Sequence, residues 1–220
     1  MRYFKVMTLL FATAFFMVAC SSQSPEEEMY EHMEAAVSLE ESFREQQEPL
    51  KELEEQEEEI YNQIIEMNSD EISEIQELSS EAASIVEKRQ ERIDNEKDSI
   101  DQAKEEFDNV KPLVEELESN ETKEAAEELI ETMDQRYEAY QELYDSYQVS
   151  LGLDSDLYEM MQDEDLKKED LQTKVNEINE SYNEVIENNE VFNEFTNEYN
   201  ENKKDFYDAS ELEVNYEESE

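Results

Sequence analysis

KEDLQTKVNEINESYNEVIENNEVFNEFTNEYNENKKDFYDA, residues Lys168–Ala209, decides the fold. Its seam runs Val175, Ile178, Tyr182, Val185, Asn189, Phe192, Thr196, Tyr199, Lys203, Phe206. The steps alternate between three and four residues, which keeps one face of a helix turned to a partner and leaves the rest to charge and amide. The stretch holds neither glycine nor proline. It predicts one long amphipathic helix that cannot stand alone.

The same count carried toward the N-terminus finds three more such stretches. Pro25–Met67 has the seam Met29, His32, Ala36, Leu39, Phe43, Gln46, Leu50, Leu53, Glu57, Ile60, Ile64, Met67, with Pro49 as the expected kink or break. Asp70–Glu118 has the seam Ile72, Ile75, Ser79, Ala82, Val86, Arg89, Ile93, Glu96, Ile100, Ala103, Phe107, Val110, Val114, Leu117, with Pro112 near its end. Glu121–Gln162 has the seam Ala126, Ile130, Met133, Tyr137, Tyr140, Tyr144, Tyr147, Leu151, Tyr158, Met161, with loosening expected near Gly152 and Asp154. Asn68-Ser69-Asp70-Glu71, Ser119-Asn120-Glu121 and Asp163-Glu164-Asp165 read as the turns.

Long segments joined by short turns imply antiparallel neighbours. The expected fold is all-α: an elongated, up-and-down bundle of four long helices with coiled-coil-like packing. A three-helix bundle with the fourth helix partly detached is the rival. Polar residues stand at seam positions Gln46, Glu57, Arg89, Glu96, Asn189 and Lys203. A thin bundle leaves such positions half wet, and that is the expectation; buried polar groups that fix register are the alternative. Heights counted from the turns set Glu57 level with Lys174 and predict an ion pair.

The first residues read differently. Arg2 and Lys5 precede an apolar run from Val6 to Val18 broken only by Thr8 and Thr13, too short for a permanent span. It ends Met17-Val18-Ala19-Cys20, which resembles a lipobox, with Met17 in the place usually held by leucine. Cys20 is the sole cysteine, so disulfides, a CxxC pair and a thiolate metal cage are excluded. The resemblance implies signal-peptidase recognition through Met17, Val18 and Ala19, cleavage after Ala19, and a diacylglycerol thioether on Cys20. An ordinary secretory leader with a chance cysteine is the weaker reading. Acyl chains bury about 0.8 kcal/mol per methylene, and two or more make membrane residence stable. The expected organisation is a signal peptide at 1–19, an acylated N-terminus and short linker at 20–28, a helical bundle at 29–209 and an acidic tail at 210–220.

Sixty-five acidic residues against 17 basic ones give a formal charge of −48. Nucleic acid needs basic patches, and none is present, so nucleic-acid partners are excluded. The charge would suggest disorder were it not for one glycine, three prolines and the sustained helical periodicity.

Catalytic motifs are missing. His32 is the only histidine and sits on a helical seam, where packing is its ordinary role. There is no GxSxG, HExxH or glycine-rich phosphate loop. Carboxylate runs such as Glu26–Glu28 and Glu57–Glu59 hold Ca²⁺ or Mg²⁺ weakly at best, and a glycosidase would need a cleft that raises one carboxyl pKa. The expectation is no enzyme and no cofactor beyond such weak surface association. Tyr137, Tyr140, Tyr144 and Tyr147 form a stripe at 3-4-3 spacing. Such rings can stack on sugars or anchor partner surfaces; a wet-edged bundle core is their ordinary role and the expectation here.

Three stretches carry a family resemblance: Cys20–Glu28; YQELYDSYQVSLGLDSDLYEMM at Tyr140–Met161 with the following Asp165–Leu171; and Tyr199-Asn200 with Lys203–Tyr207. Together they resemble the YkyA family, known as cell-wall-binding lipoproteins of Gram-positive bacteria. The resemblance implies an elongated helical bundle on the outer face of the cell membrane. It implies contact with peptidoglycan or a wall-associated protein, and no catalytic residues. A structural spacer or partner-binding rod in an envelope complex is the alternative. An anionic rod does not adhere to anionic wall polymers by simple attraction, so contact needs bridging divalent cations, neutral glycan or a protein.

Overall fold

The computed structural model describes residues 23–68 and 71–212. Five α-helices account for nearly all of them: α1 (Pro25–Leu39), α2 (Glu41–Glu66), α3 (Ile72–Phe107), α4 (Asn120–Met160) and α5 (Lys168–Ala209). A 3₁₀ segment, Asp108–Glu116, continues α3 around Pro112. No strand occurs among the described residues. The α1–α2 pair forms one broken rod, so the bundle has the expected four rods, and α5 has the bounds its periodicity predicts.

Side-chain contacts fix an antiparallel order. Gln46 meets Arg92 while Glu57 meets Arg89, so α2 runs against α3. Tyr137 reaches Asp101 and Tyr144 reaches Asp94, which sets α4 against α3. Ser150 meets Ser181 while Asn202 meets Thr132, which sets α5 against α4. At ~1.5 Å per residue, α4 alone is about 62 Å long. Ser24 caps α1 with a full capping box: its hydroxyl accepts from the Glu27 N–H, and the Glu27 carboxylate accepts from the Ser24 N–H.

The first rod breaks at Glu40 and not at Pro49. Pro49 lies inside α2. At the break, the Ser99 hydroxyl of α3 enters the helical ladder. It donates to the Leu39 carbonyl (2.6 Å) and accepts from the Phe43 N–H (3.0 Å), the two groups that would otherwise bond each other. A side chain inserted between such partners bends a helix. Pro49 forfeits one backbone bond, and packing against α3 carries the helix through it. Nor does α4 loosen at Gly152: it is continuous to Met160, and a Cβ at Gly152 would meet nothing within 4 Å.

The polar seam residues are drier than expected. Gln46, Glu57, Arg89 and Glu96 are all buried, Arg89 to 2 % exposure. Only Asn189 is exposed, and half-buried Lys203 meets Glu34 at 2.8 Å. The expected Glu57–Lys174 pair does not form. Glu57 takes Arg89 at 2.6 Å, and Lys174 takes Asp156 at 3.1 Å and Glu177 at 3.3 Å. The reason is global: α2 and α5 nowhere bring Cα atoms within 8 Å of each other. The bundle is open along that side.

Candidate binding cleft

That opening is a cleft of about 1720 Å³, walled by α2 and α5 and floored by α3 and α4. Its lining runs on α5 from Val175 to Asn200, a rise of about 38 Å. Two buried arginines anchor it.

Arg89 projects from α3 into the half between α2 and α5. One guanidinium nitrogen donates to Glu57 (2.6 Å) and Asp154 (3.2 Å); the other donates to the hydroxyls of Tyr147 and Tyr182 (2.7 Å each) and reaches Glu54 at 3.4 Å. Its plane also lies over the Tyr147 and Tyr182 rings, 5.3 and 5.8 Å from their centroids. Tyr182 in turn donates to Asp154 at 2.5 Å, and Tyr147 donates to Glu54. Burial pushes the carboxyls of Glu57 and Asp154 upward, and Arg89 opposes the shift without cancelling it. One cation thus faces two buried carboxylates, Glu57 and Asp154, and a third, Glu54, whose side chain is 42 % exposed at the rim.

Two turns along α3, Glu96 is 4 % exposed and accepts only from the Gln47 amide at 2.8 Å. Burial raises its pKa to about 8, offset in part by that amide.

Arg136 of α4 holds the break in the first rod. It makes a two-pronged pair with Glu40 (2.7 and 2.9 Å), donates through Nε to Thr196, and lies 5.0 Å from the Phe192 ring centroid. Glu40 marks the kink, so Ser99 bends the rod and Arg136 fastens the bend.

The tyrosine stripe divides. Tyr140 and Tyr147 are buried; Tyr140 packs against Phe43 and Phe192 with ring centroids 5.9 and 5.4 Å away. Tyr137 and Tyr144 are half-buried. They donate to Asp101 and Asp94 (2.9 Å each) under Lys104 and Lys97. Tyr140, Tyr144 and Tyr147 line the cleft, and Tyr137 does not. Burial, aided by Asp94, pushes the Tyr144 phenol up to about 12.

Sequence reasoning placed Arg89, Glu57 and Tyr182 on three separate seams but did not bring them together. The available signal was a lone arginine on a seam beside a carboxylate on another. Glu40, Glu54, Asp154 and Arg136 lay off the seams and gave none. His32 bonds Glu106 at 2.7 Å, away from the cleft.

Met17, Val18, Ala19 and Cys20 lie outside the described residues. No described helix is long and apolar enough to cross a membrane. Among the described residues, no group of three or more His, Cys, Asp or Glu side chains is arranged to hold a metal ion.

Residues 24–209 match the YkyA family, described as "Putative cell-wall binding lipoprotein". The chain belongs to the YkyA family. The match covers all five helices. This YkyA-family chain is also 36% identical over 61 residues to the "Uncharacterized lipoprotein YkyA" of Bacillus subtilis. That alignment covers 28% of this chain and 27% of the relative. A solved structure from Staphylococcus aureus, titled as a conserved protein of unknown function, aligns over 83% of this chain and 95% of its own. Its identity is 11% and its TM-score 0.46.

Proposed function

We propose that this YkyA-family chain is a non-catalytic surface lipoprotein. Cys20 is its lipid-bearing residue, and the bundle binds wall material or a wall-associated partner at the outer face of the cell membrane. The observation that carries this reading is the order of parts. A lipobox-like Met17–Cys20 stands just before residue 24, where the family match begins and then spans the whole bundle. The body stands off an anionic membrane by its own charge, so the acyl chains do the anchoring.

The test is co-sedimentation of the full chain with purified wall, with and without Mg²⁺. Retention above a serum-albumin control supports the reading, and no retention under either condition overturns wall binding. Mass spectrometry of the protein from membranes tests the anchor: an unmodified Cys20 overturns it. Zymography against wall substrate should show no lytic band.

The net charge of −48 favours one variant of this reading: a rod that binds a protein of the envelope rather than the anionic polymers. In-cell crosslinking would then yield specific membrane or wall proteins.

A further inference from the structure

The open side of the bundle is matched in chemistry to a cation, and the match rests on three observations. The first is charge. Around the cleft one buried guanidinium, Arg89, serves the buried Glu57 and Asp154 and the rim residue Glu54; the other lining cations are Arg44 and Lys51 on the α2 wall and Arg136, which is paired with Glu40. Glu96 has an amide partner and no ion-pair partner among the described residues. Buried carboxylates in excess of cations take up either a proton or a further positive charge, and a docked cation supplies the second.

The second is unmet hydrogen bonding. The Tyr140 and Tyr199 hydroxyls are buried without a partner among the described residues, both residues line the cleft, and a hydroxyl oxygen accepts from an ammonium or a backbone N–H. Tyr140 is 1 % exposed and Tyr199 5 %. Each such group costs about 1–3 kcal/mol.

The third is form. The lining mixes aliphatic side chains such as Leu50, Val185 and Ile186 with the amides Asn179, Asn189 and Asn193 along the α5 wall. Amides both donate and accept, which suits the unpaired backbone groups of an extended chain better than a helix that bonds itself. Of the tyrosines in the lining, Tyr140, Tyr147, Tyr158 and Tyr199 are buried and offer no ring face to a sugar, while Tyr61, Tyr144 and Tyr182 are half-buried.

We propose that the cleft between α2 and α5 is the docking site of an extended basic polypeptide segment from a partner protein, its cationic side chains received by Glu96 and by the Glu54–Glu57–Asp154 group. The proposal rests on the envelope-binding reading above and assigns the partner-binding role to this cleft. Arg89 and Glu96 lie two helical turns apart on α3, about 10 Å. Three residues of an extended polyproline II chain rise about 9 Å and bring the side chain back to the same face, so basic residues at every third position meet both acceptors.

The experiment measures anisotropy of a labelled peptide with lysine at every third position, titrated with the full chain in non-ionic detergent. Glu54→Gln and Glu96→Gln should each weaken binding about tenfold. Glu127→Gln, on an exposed face outside the cleft, should leave it unchanged. Circular dichroism confirms that each variant keeps its helices, and rim residue Glu54 supplies a readout should Glu96→Gln disturb packing. Equal binding by all variants means diffuse attraction to an acidic surface and overturns the proposal. So does displacement of the peptide by a neutral N-acetylglucosamine oligomer, which would mark a glycan groove. Wall co-sedimentation of the same variants separates the two readings. Peptide binding without wall retention overturns wall contact alone, and wall retention without peptide binding overturns the cleft assignment alone.

Discussion

The two halves of this bundle share α3, α4 and α5, yet one is closed and the other is open. In the closed half, α1 packs on α3 and the 3₁₀ segment, and Met29, Met33, Phe107, Val110, Leu129 and Phe206 are sealed from solvent. Tyr30 and Tyr207, 5.4 Å apart between ring centroids, bridge α1 to α5. In the open half, the space between the wall helices α2 and α5 holds Arg89, three carboxylates and tyrosine hydroxyls. The boundary is the kink at Glu40. At that boundary a single hydroxyl inserted from Ser99 interrupts the ladder between α1, which covers the core, and α2, which walls the cleft. An apolar seam is therefore not enough to close a bundle; the direction of each rod decides whether its seam meets all its neighbours.

The largest effect should come from the closed half. Phe107→Ala removes a ring of 0 % exposure that packs on Tyr199 at 5.9 Å. It should cost about 4 kcal/mol in urea denaturation, and a loss below about 1 kcal/mol would show that the half is not sealed. In the open half, Arg89→Met should cost about 3 kcal/mol near neutral pH by stranding Glu57 and Asp154. The cost should shrink in acid, because those carboxyls, already pushed up by burial, then fold protonated. A pH-independent loss would show that packing and not charge was removed.

Glu96→Gln should act in the opposite direction. A carboxyl raised in the folded state to about 8 binds its proton more tightly folded than unfolded. Its penalty is absent well below the unfolded value near 4.5 and grows as pH rises toward about 8. The substitution should raise stability by on the order of 2 kcal/mol near pH 8 and little near pH 4, read from thermal melts at both. The smallest effect is Gly152→Ala in α4. With open space around the new Cβ, it should stabilise by about 0.5–1 kcal/mol. A destabilisation would show that α4 is not a regular, unobstructed helix at this position.

Much of the fold was legible because helices write their packing face into residue spacing. The α5 seam gave both its bounds, and the short polar turns gave the antiparallel order. Pro49 marks no break, because its local cost is set against packing that the spacing does not report. Glu57 and Lys174 were matched by height, which holds only if their two helices are neighbours, and here the cleft separates them. Of the candidate site, the stripe Tyr140, Tyr144 and Tyr147 and the seam position of Arg89 were visible at helical spacing, but Arg136 and the partners of both arginines were not. Those partners come from α2, α4 and α5 at separations of 32 to 96 residues, beyond the reach of any local pattern.

By itself, the sequence determined four amphipathic rods, their order along the chain, their acidic outer faces and the lipobox-like signal ahead of them. All of these follow from composition and period. Only the tertiary structure decided that the first rod breaks at Glu40, that one side of the bundle stays open, and that Arg89 gathers carboxylates from two other helices. Those outcomes depend on which side chain of one helix intrudes on the backbone of another, and that is a matter of three-dimensional direction rather than of spacing.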